Sequence, residues 1–261
     1  MRKQALITAG VKNTGFGIAE YLAKKGMDLH ITSRDLESAV TAADILQKKY
    51  PDIKVYPYSL ELKETANIKK LFKEIRSNVP SLDIFVANAA DLGVDYDIYN
   101  TDEESYDRVM DTNVKGTFFC CQEAGKMMTE NGGSIVLIGS VQSKGAVEGR
   151  TLYGISKAAI NGMCKYLAYD FAPYNIRVNE IIAGAIHTER WDALDENVAA
   201  QRRMNYPLGR EADIEEIAEA VYYLSNDNSK HITGVEITID SGLLLSILPY
   251  RDRKLLRREN Y

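Results

Sequence analysis

The chain has 261 residues, 45% apolar and 26% charged, with a formal net charge of −5. That length and composition suit one large α/β domain, or two small ones, with a sizeable buried core. The mild acidity gives no general attraction to phosphate backbones or anionic lipid, so neither nucleic acid nor a membrane surface is an expected partner, although an anionic cofactor needs only a few local positive groups.

From its start, the apolar run in MRKQALIT is far too short for a signal peptide or a membrane span, so a cytoplasmic protein is expected. Apolar runs that read as strands follow at 4–8, 28–32, 54–58, 82–87, 133–138, 177–182 and 235–239. Between them lie helical stretches near 17–25, 35–49, 64–77, 103–130, 152–172 and 213–225. No linker, repeat or charge block divides the chain. Strand–helix alternation of this kind predicts one doubly wound parallel α/β sheet, Rossmann-like, over residues 1–242, with helices on both faces and a tail over 243–261. Ligands of such sheets bind at the carboxyl ends of the strands, which directs attention to the residues just after each one. Cys120, Cys121 and Cys164 match no zinc spacing, and adjacent Cys120 and Cys121 are badly placed to pair. They read as buried thiols in a reducing compartment, and no metal is expected.

After the first strand comes Thr8-Ala9-Gly10-Val11-Lys12-Asn13-Thr14-Gly15-Phe16-Gly17. Glycines here permit a tight turn and let backbone approach a pyrophosphate at a helix N-terminus, where free N–H groups favour anions. The second strand ends Ile31-Thr32-Ser33-Arg34-Asp35. An acid at this place holds ribose hydroxyls in NAD sites, and a basic residue suits a 2′-phosphate. Arg34 offers a planar fork for phosphate and Lys12 a second positive charge. Asp35 reads two ways, as the ribose acid or as the N-cap of the next helix, and the N-cap is the preferred reading.

The fifth strand leads into Ile138-Gly139-Ser140, and thirteen residues later comes Tyr153-Gly154-Ile155-Ser156-Lys157 on a predicted helix. Tyr153 and Lys157, four apart, share one helix face. Reduction of a ketone by hydride needs a proton donor at the carbonyl oxygen, and the reverse reaction needs a base. The ammonium of Lys157 favours the phenolate form of Tyr153, and the Ser140 hydroxyl can hold the substrate oxygen.

On these residues the chain resembles the short-chain dehydrogenase/reductase family from Thr8 to about Gly242. The resemblance implies that Ser140, Tyr153 and Lys157 are the catalytic serine, tyrosine and lysine. It also implies that Asn113, in Asn113-Val114-Lys115-Gly116, is the fourth catalytic residue, an asparagine that helps to hold a water leading from the lysine to solvent. Several markers are altered. Ala87-Asn88-Ala89-Ala90 stands for the usual Asn-Asn-Ala-Gly, and Ala9 and Asn13 replace two loop glycines while Gly15 remains. Glu61 takes the place of the aspartate that meets adenine, and Ala183-Gly184 stands for Pro-Gly.

The cofactor set implied is Gly10, Lys12, Asn13, Thr14, Gly15, Ser33, Arg34, Glu61, Leu62, Asn88, Tyr153, Lys157, Gly184, Ile186 and Thr188. Lys12 and Arg34 fall where NADP-preferring relatives carry basic residues, which favours NADP(H). By position 185–208 resembles a substrate lid; Trp191, Met204 and Tyr206 within it either line a pocket or pack on the core. The 91–100 loop, with Tyr96 and Tyr99, and the 141–150 stretch form other walls. A bulky, partly apolar substrate is expected: a hydroxysteroid, polyol, sugar acid or cyclic ketone. Carrier-protein 3-oxoacyl reductases of this family dock an acidic carrier on basic residues, where this chain has Glu130, Asn131 and Tyr174. A non-catalytic NADP(H) sensor is the rival from another class. An enoyl reductase, suggested by Gly15-Phe16-Gly17-Ile18-Ala19, is disfavoured because such relatives space tyrosine and lysine further apart. The resemblance implies a homotetramer, with the apolar start of the 243–261 tail able to pack on a neighbouring subunit.

Overall fold

The computed structural model describes residues 2–93 and 98–245. Its strands are β1 (Gln4–Ile7), β2 (Asp28–Ser33), β3 (Val55–Ser59), β4 (Ile84–Ala87), β5 (Gly133–Ser140), β6 (Ile176–Ala183) and β7 (Glu236–Ile239). They form one parallel sheet in the order β3-β2-β1-β4-β5-β6-β7. This is the doubly wound arrangement predicted above. Its order reverses between β1 and β4, which opens a crevice at the carboxyl edge.

Successive side chains on a strand point to opposite faces, and the apolar residues sort accordingly. On one face Ala5 and Ile7, Ile84 and Val86, and Val136 and Ile138 join one core; on the other, Leu6, Phe85, Ile135 and Leu137 join a second. Strands apolar on both faces require cover on both sides. The cover comes from α1 (Asn13–Lys24), α2 (Leu36–Lys49), α3 (Thr65–Asn78), α4 (Glu103–Met110), α5 (Thr117–Met128), α6 (Thr151–Phe171), the short α7 (Glu189–Asp192) and α8 (Glu196–Arg203), and α9 (Ile214–Ser225). α1, α2 and α9 bury Ile18, Leu22, Leu46, Ile217 and Val221 in the first core. α3, α5 and α6 bury Ile68, Phe72, Cys120, Ala124, Ile160 and Cys164 in the second. All three cysteines are buried and free.

Two helices depart from the sequence reading. α1 starts at Asn13, a turn before the predicted start near 17, because the Phe16 N–H already donates to the Lys12 carbonyl at 3.2 Å. Asn13, Thr14 and Gly15 therefore stand in the first helical turn and not in a loop. The single helix expected over 103–130 is α4, a π-helical turn at Asp111–Gly116, and α5. At Gly116 a Cβ would lie 2.7 Å from the Leu62 carbonyl oxygen, so backbone packs on backbone there. Among the described residues no helix is long and apolar enough to cross a membrane.

His30, on β2, is fully buried; its Nδ1 lies 3.1 Å from the Tyr58 hydroxyl and its ring stacks 4.8 Å from that of Tyr56. Burial pulls its pKa from 6.5 down to about 4, against the attraction of Asp28. The unfolded chain therefore binds a proton that the native state refuses. Stability is full above pH 6.5, and about 3 kcal/mol of it is lost as pH falls toward 4. Chemical denaturation across that window should show this slope in the wild type and a flatter one in His30→Gln. Equal slopes would exclude His30 as the source.

Candidate active site

The carboxyl edge of the sheet gathers residues that lie far apart in sequence. After β1 come Gly10, Lys12, Asn13, Thr14 and Gly15; Ser33 ends β2 and Arg34 follows it; Glu61 and Leu62 follow β3, Asn88 follows β4, Ser140 ends β5, and Gly184, Ile186 and Thr188 follow β6. The Thr8 hydroxyl accepts from the N–H groups of Asn88 and Ala89 at 3.0 and 3.1 Å, and the Asn88 amide donates to the carbonyls of Thr8 and Ala9 at 3.1 and 3.3 Å. The Asn88 side chain thus braces the first turn. The Ala9 N–H donates to the Thr32 hydroxyl at 3.2 Å.

Ala9 and Asn13, expected above to replace loop glycines, sit at φ of 52° and 48°. Both hold left-handed backbone that favours glycine, at a cost that asparagine tolerates better than alanine. Gly15 is constrained by space instead: a Cβ there would lie 2.1 Å from the Ala9 carbonyl oxygen. The result is a tight turn ending on the N-terminus of α1, with exposed Lys12 beside it and exposed Arg34 across the crevice. Asp35 is the N-cap of α2, accepting from the Glu37 and Ser38 N–H groups at 3.3 and 2.9 Å and from the Ser38 hydroxyl at 2.7 Å. These contacts hold its carboxyl below the usual range, the Ser38 hydroxyl foremost. Glu61 is half-buried, and its Oε1 accepts from the Lys63 N–H at 3.5 Å.

The candidate reacting groups come from β5 and α6. Ser140 is the last residue of β5, and its hydroxyl accepts from the Gln142 N–H at 3.2 Å. Tyr153 is half-buried in the first turn of α6. One turn on, Lys157 is only 4% exposed; its Nζ lies 5.5 Å from the Tyr153 ring centroid and donates to the Ile138 carbonyl at 2.7 Å. An ammonium taken out of water needs such partners. Asn113, 2% exposed, lies in the π turn. Its amide accepts from the Asp91 N–H at 2.7 Å and donates to the Asp91 carbonyl at 2.8 Å and to the Ser156 hydroxyl at 2.9 Å. The Asn113 side chain therefore fixes the loop after β4 against α6. That task and Ser156 both escaped the sequence reading.

Arg150 closes the site laterally by donating to the Leu92 carbonyl at 3.1 Å. The Oε1 of Gln142 is buried and has no hydrogen-bond partner among the described residues. Within the 185–208 stretch, expected above to be a lid, Trp191 and Tyr206 pack on each other at 6.4 Å; Tyr206 is buried and Met204 exposed. Glu211 pins this stretch. It accepts from Arg203 at 2.8 and 2.6 Å and meets His187 Nδ1 at 2.7 Å, while His187 Nε2 lies 2.9 Å from Asp192. Arg203, then His187, hold the Glu211 carboxyl down to about 2, and the same contacts raise the His187 imidazole. A cleft of about 710 Å³ runs along α1 to this stretch, lined by Asn13, Phe16, His187, Thr188 and Ile214; Tyr153 is not on its wall. Tyr99 is exposed, while Tyr96 and residues 246–261 lie outside the described residues.

A parallel sheet with this switch point, a tight turn after β1 that ends on a helix N-terminus, and serine, tyrosine and lysine at its carboxyl edge are the features of an oxidoreductase of the dinucleotide-binding class. A family model described as Enoyl-(Acyl carrier protein) reductase matches residues 9–244. The 3alpha-hydroxysteroid dehydrogenase of Mediterraneibacter gnavus is 31% identical over 92% of this chain and 96% of its own length. The 3-oxoacyl-[acyl-carrier-protein] reductase FabG of Aquifex aeolicus is 32% identical over 92% of this chain and 97% of its own. Among solved structures, a short-chain type dehydrogenase/reductase from Mycobacterium marinum superposes with a TM-score of 0.86 at 28% identity, covering 94% of this chain and 96% of that one. The chain belongs to the short-chain dehydrogenase/reductase family, an oxidoreductase family that binds a nicotinamide cofactor.

Proposed function

We propose that the protein interconverts a secondary alcohol and a ketone on a free, partly apolar small molecule, using NADP(H). The observation that carries this reading is the placement of Tyr153 and Lys157 on one face of α6, beside the end of β5 where Ser140 stands. The turn at Gly15 has the closeness that a pyrophosphate needs, since no side chain fits between it and Ala9. When bound, the nicotinamide supplies or accepts a hydride.

The chain's own groups do the rest. Tyr153 gives its phenolic proton to the carbonyl oxygen, or takes one from the alcohol. Lys157 places its ammonium beside the Tyr153 ring and would hold the nicotinamide ribose. Ser140 donates a hydrogen bond that orients the substrate oxygen, and Asn113 carries the proton path onward. Gln142, with its unpaired acceptor, suits a substrate hydroxyl. The relative named as a hydroxysteroid dehydrogenase supports a steroid or similar ring system.

A second reading, a carrier-protein 3-oxoacyl reductase, is favoured by the FabG relatives. Against it stand Glu130, Asn131 and Tyr174, exposed where an acidic carrier would need basic partners. A homotetramer in the cytoplasm fits the outward Phe118, Tyr166 and Tyr169 on α5 and α6, the last two 76% and 82% exposed.

The test is a turnover assay with NADPH and NADH run separately on steroid ketones, sugar acids, cyclic ketones and 3-oxoacyl thioesters, free and carrier-bound. Faster turnover on the carrier-bound thioesters than on free ketones would install the second reading, and tight NADPH binding with no turnover anywhere would favour a sensor. In the same assay Lys12→Ala/Arg34→Ala should weaken NADPH binding about a hundredfold, about tenfold for each lost charge–phosphate contact, and leave NADH untouched. Equal losses for both cofactors would remove the basis for NADP(H).

A further inference from the structure

We propose that Glu180, a buried carboxylate on β6 that meets the α6 row of Tyr153 and Lys157 through Asn161, is a positioning residue for that pair and serves as counter-charge to the Lys157 ammonium. The inference rests on the reading of Tyr153 and Lys157 just given.

Alternation along β6 sends Ile176 and Val178 into the core beneath α6. The next residue on that side is Glu180, with no exposed surface. Both carboxylate oxygens lie 2.8 Å from the Asn161 side-chain amide nitrogen. Tyr153, Lys157 and Asn161 follow one another at helical spacing of four, so a single polar row descends from the phenol to the carboxylate through an otherwise apolar interface.

The carboxylate also presses on the strand that bears Ser140. A Cβ at Gly139 would lie 2.0 Å from Glu180 Oε1, and Gly139 stands between Ile138, whose carbonyl accepts a hydrogen bond from Lys157, and Ser140. An acid and its amide in the middle of an apolar sheet are costly, and one amide donor cannot satisfy a carboxylate's acceptors.

Several charged groups face Glu180. From α6 come Lys157 and the thiol of Cys164; from β7 comes Glu236, itself paired with Lys144 at 2.5 Å and Lys165 at 3.4 Å. Burial raises the Glu180 carboxyl to about 7, Asn161 and Lys157 pull it back, and Glu236 pushes it up. The charge on this carboxyl is thus coupled to that of Lys157, one helical turn along α6 from Tyr153. Because such coupling is reciprocal, Lys157 must act on Glu180 as strongly as Glu180 acts on Lys157.

That reciprocity permits a test on the full chain without any substrate. Infrared difference spectra recorded against pH should contain a protonated-carboxyl band, absent in Glu180→Gln, with a midpoint near 7. In Lys157→Met the midpoint should rise by about one unit, the usual effect of removing a nearby opposite charge. If Glu180→Gln fails to fold, Asn161→Leu identifies the band instead, since loss of the amide donor should move it upward. A band that titrates identically in wild type and Lys157→Met overturns the proposal, as does the absence of any such band near neutrality. A purely packing role for Glu180 would leave the Lys157→Met spectrum unmoved, and failure of every substrate in the turnover assay would not touch this result.

Discussion

Tyr153→Phe should reduce turnover at least about a thousandfold, the upper part of what one positioned general acid contributes, while NADPH binding stays within about twofold of wild type. The substitution removes one oxygen. It leaves the ring beside the Lys157 ammonium and disturbs neither the Lys157 hydrogen bond to Ile138 nor the Asn113 bonds to Asp91 and Ser156. The first turn of α6 therefore keeps its shape, and a loss of rate reads chemistry and not folding. Steady-state rates on the substrate found in the assay, with fluorescence titration of NADPH, separate the two quantities. A variant with wild-type turnover would reject Tyr153 as the proton donor, and a variant that failed to bind NADPH would show the phenol acting through structure.

Gly15→Ala should abolish measurable NADPH binding, a loss of more than about a hundredfold, and should lower stability by about 2–3 kcal/mol as an overpacked site does. The new methyl carbon would stand 2.1 Å from the Ala9 carbonyl oxygen and 2.6 Å from the Asn88 amide nitrogen. Neither neighbour can move away cheaply. Ala9 is tied through its N–H to Thr32 and already holds a left-handed backbone, while Asn88 is anchored to Thr8. The loop must open, and with it the N–H groups that face a pyrophosphate. Thermal melting with and without NADPH reads both effects. Full cofactor stabilisation in the variant would mean that the dinucleotide lies elsewhere than over this turn.

The sheet was legible because each strand is a short apolar run, flanked by helical stretches of different period. All seven strands stand within two residues of their expected bounds at either end. The meeting of Tyr153 and Lys157 was legible through spacing, since four residues on a helix bring side chains together wherever the helix lies. Other features needed three dimensions. The π turn leaves no periodic trace over six residues, and α7 and α8, at four and eight residues, are too short to show a face. The Asn113 contacts join positions 22 and 43 residues apart, which no local pattern reports. Glu180 did leave a signal, an acid beside Arg177 and Asn179 in the run Ile176–Ala183, but strand assignment by hydrophobicity does not tell such a buried acid from its polar neighbours.

The π turn at Asp111–Gly116 has a further consequence, best put in terms of phase. An α-helix behaves as a screw whose angular position is fixed by residue count, so a turn carrying one extra residue resets the angle of everything beyond it. α4 presents Val109 inward on one setting, and α5 presents Cys120, Cys121, Ala124 and Met127 on another. Asn113 sits at the joint between the two settings. Removal of one residue inside the turn would return a continuous helix in register with only one of these faces. The joint therefore acts as a coupling between two shafts, letting α5 keep its seat in the core while α4 and the loop after β4 take the orientation that the site requires.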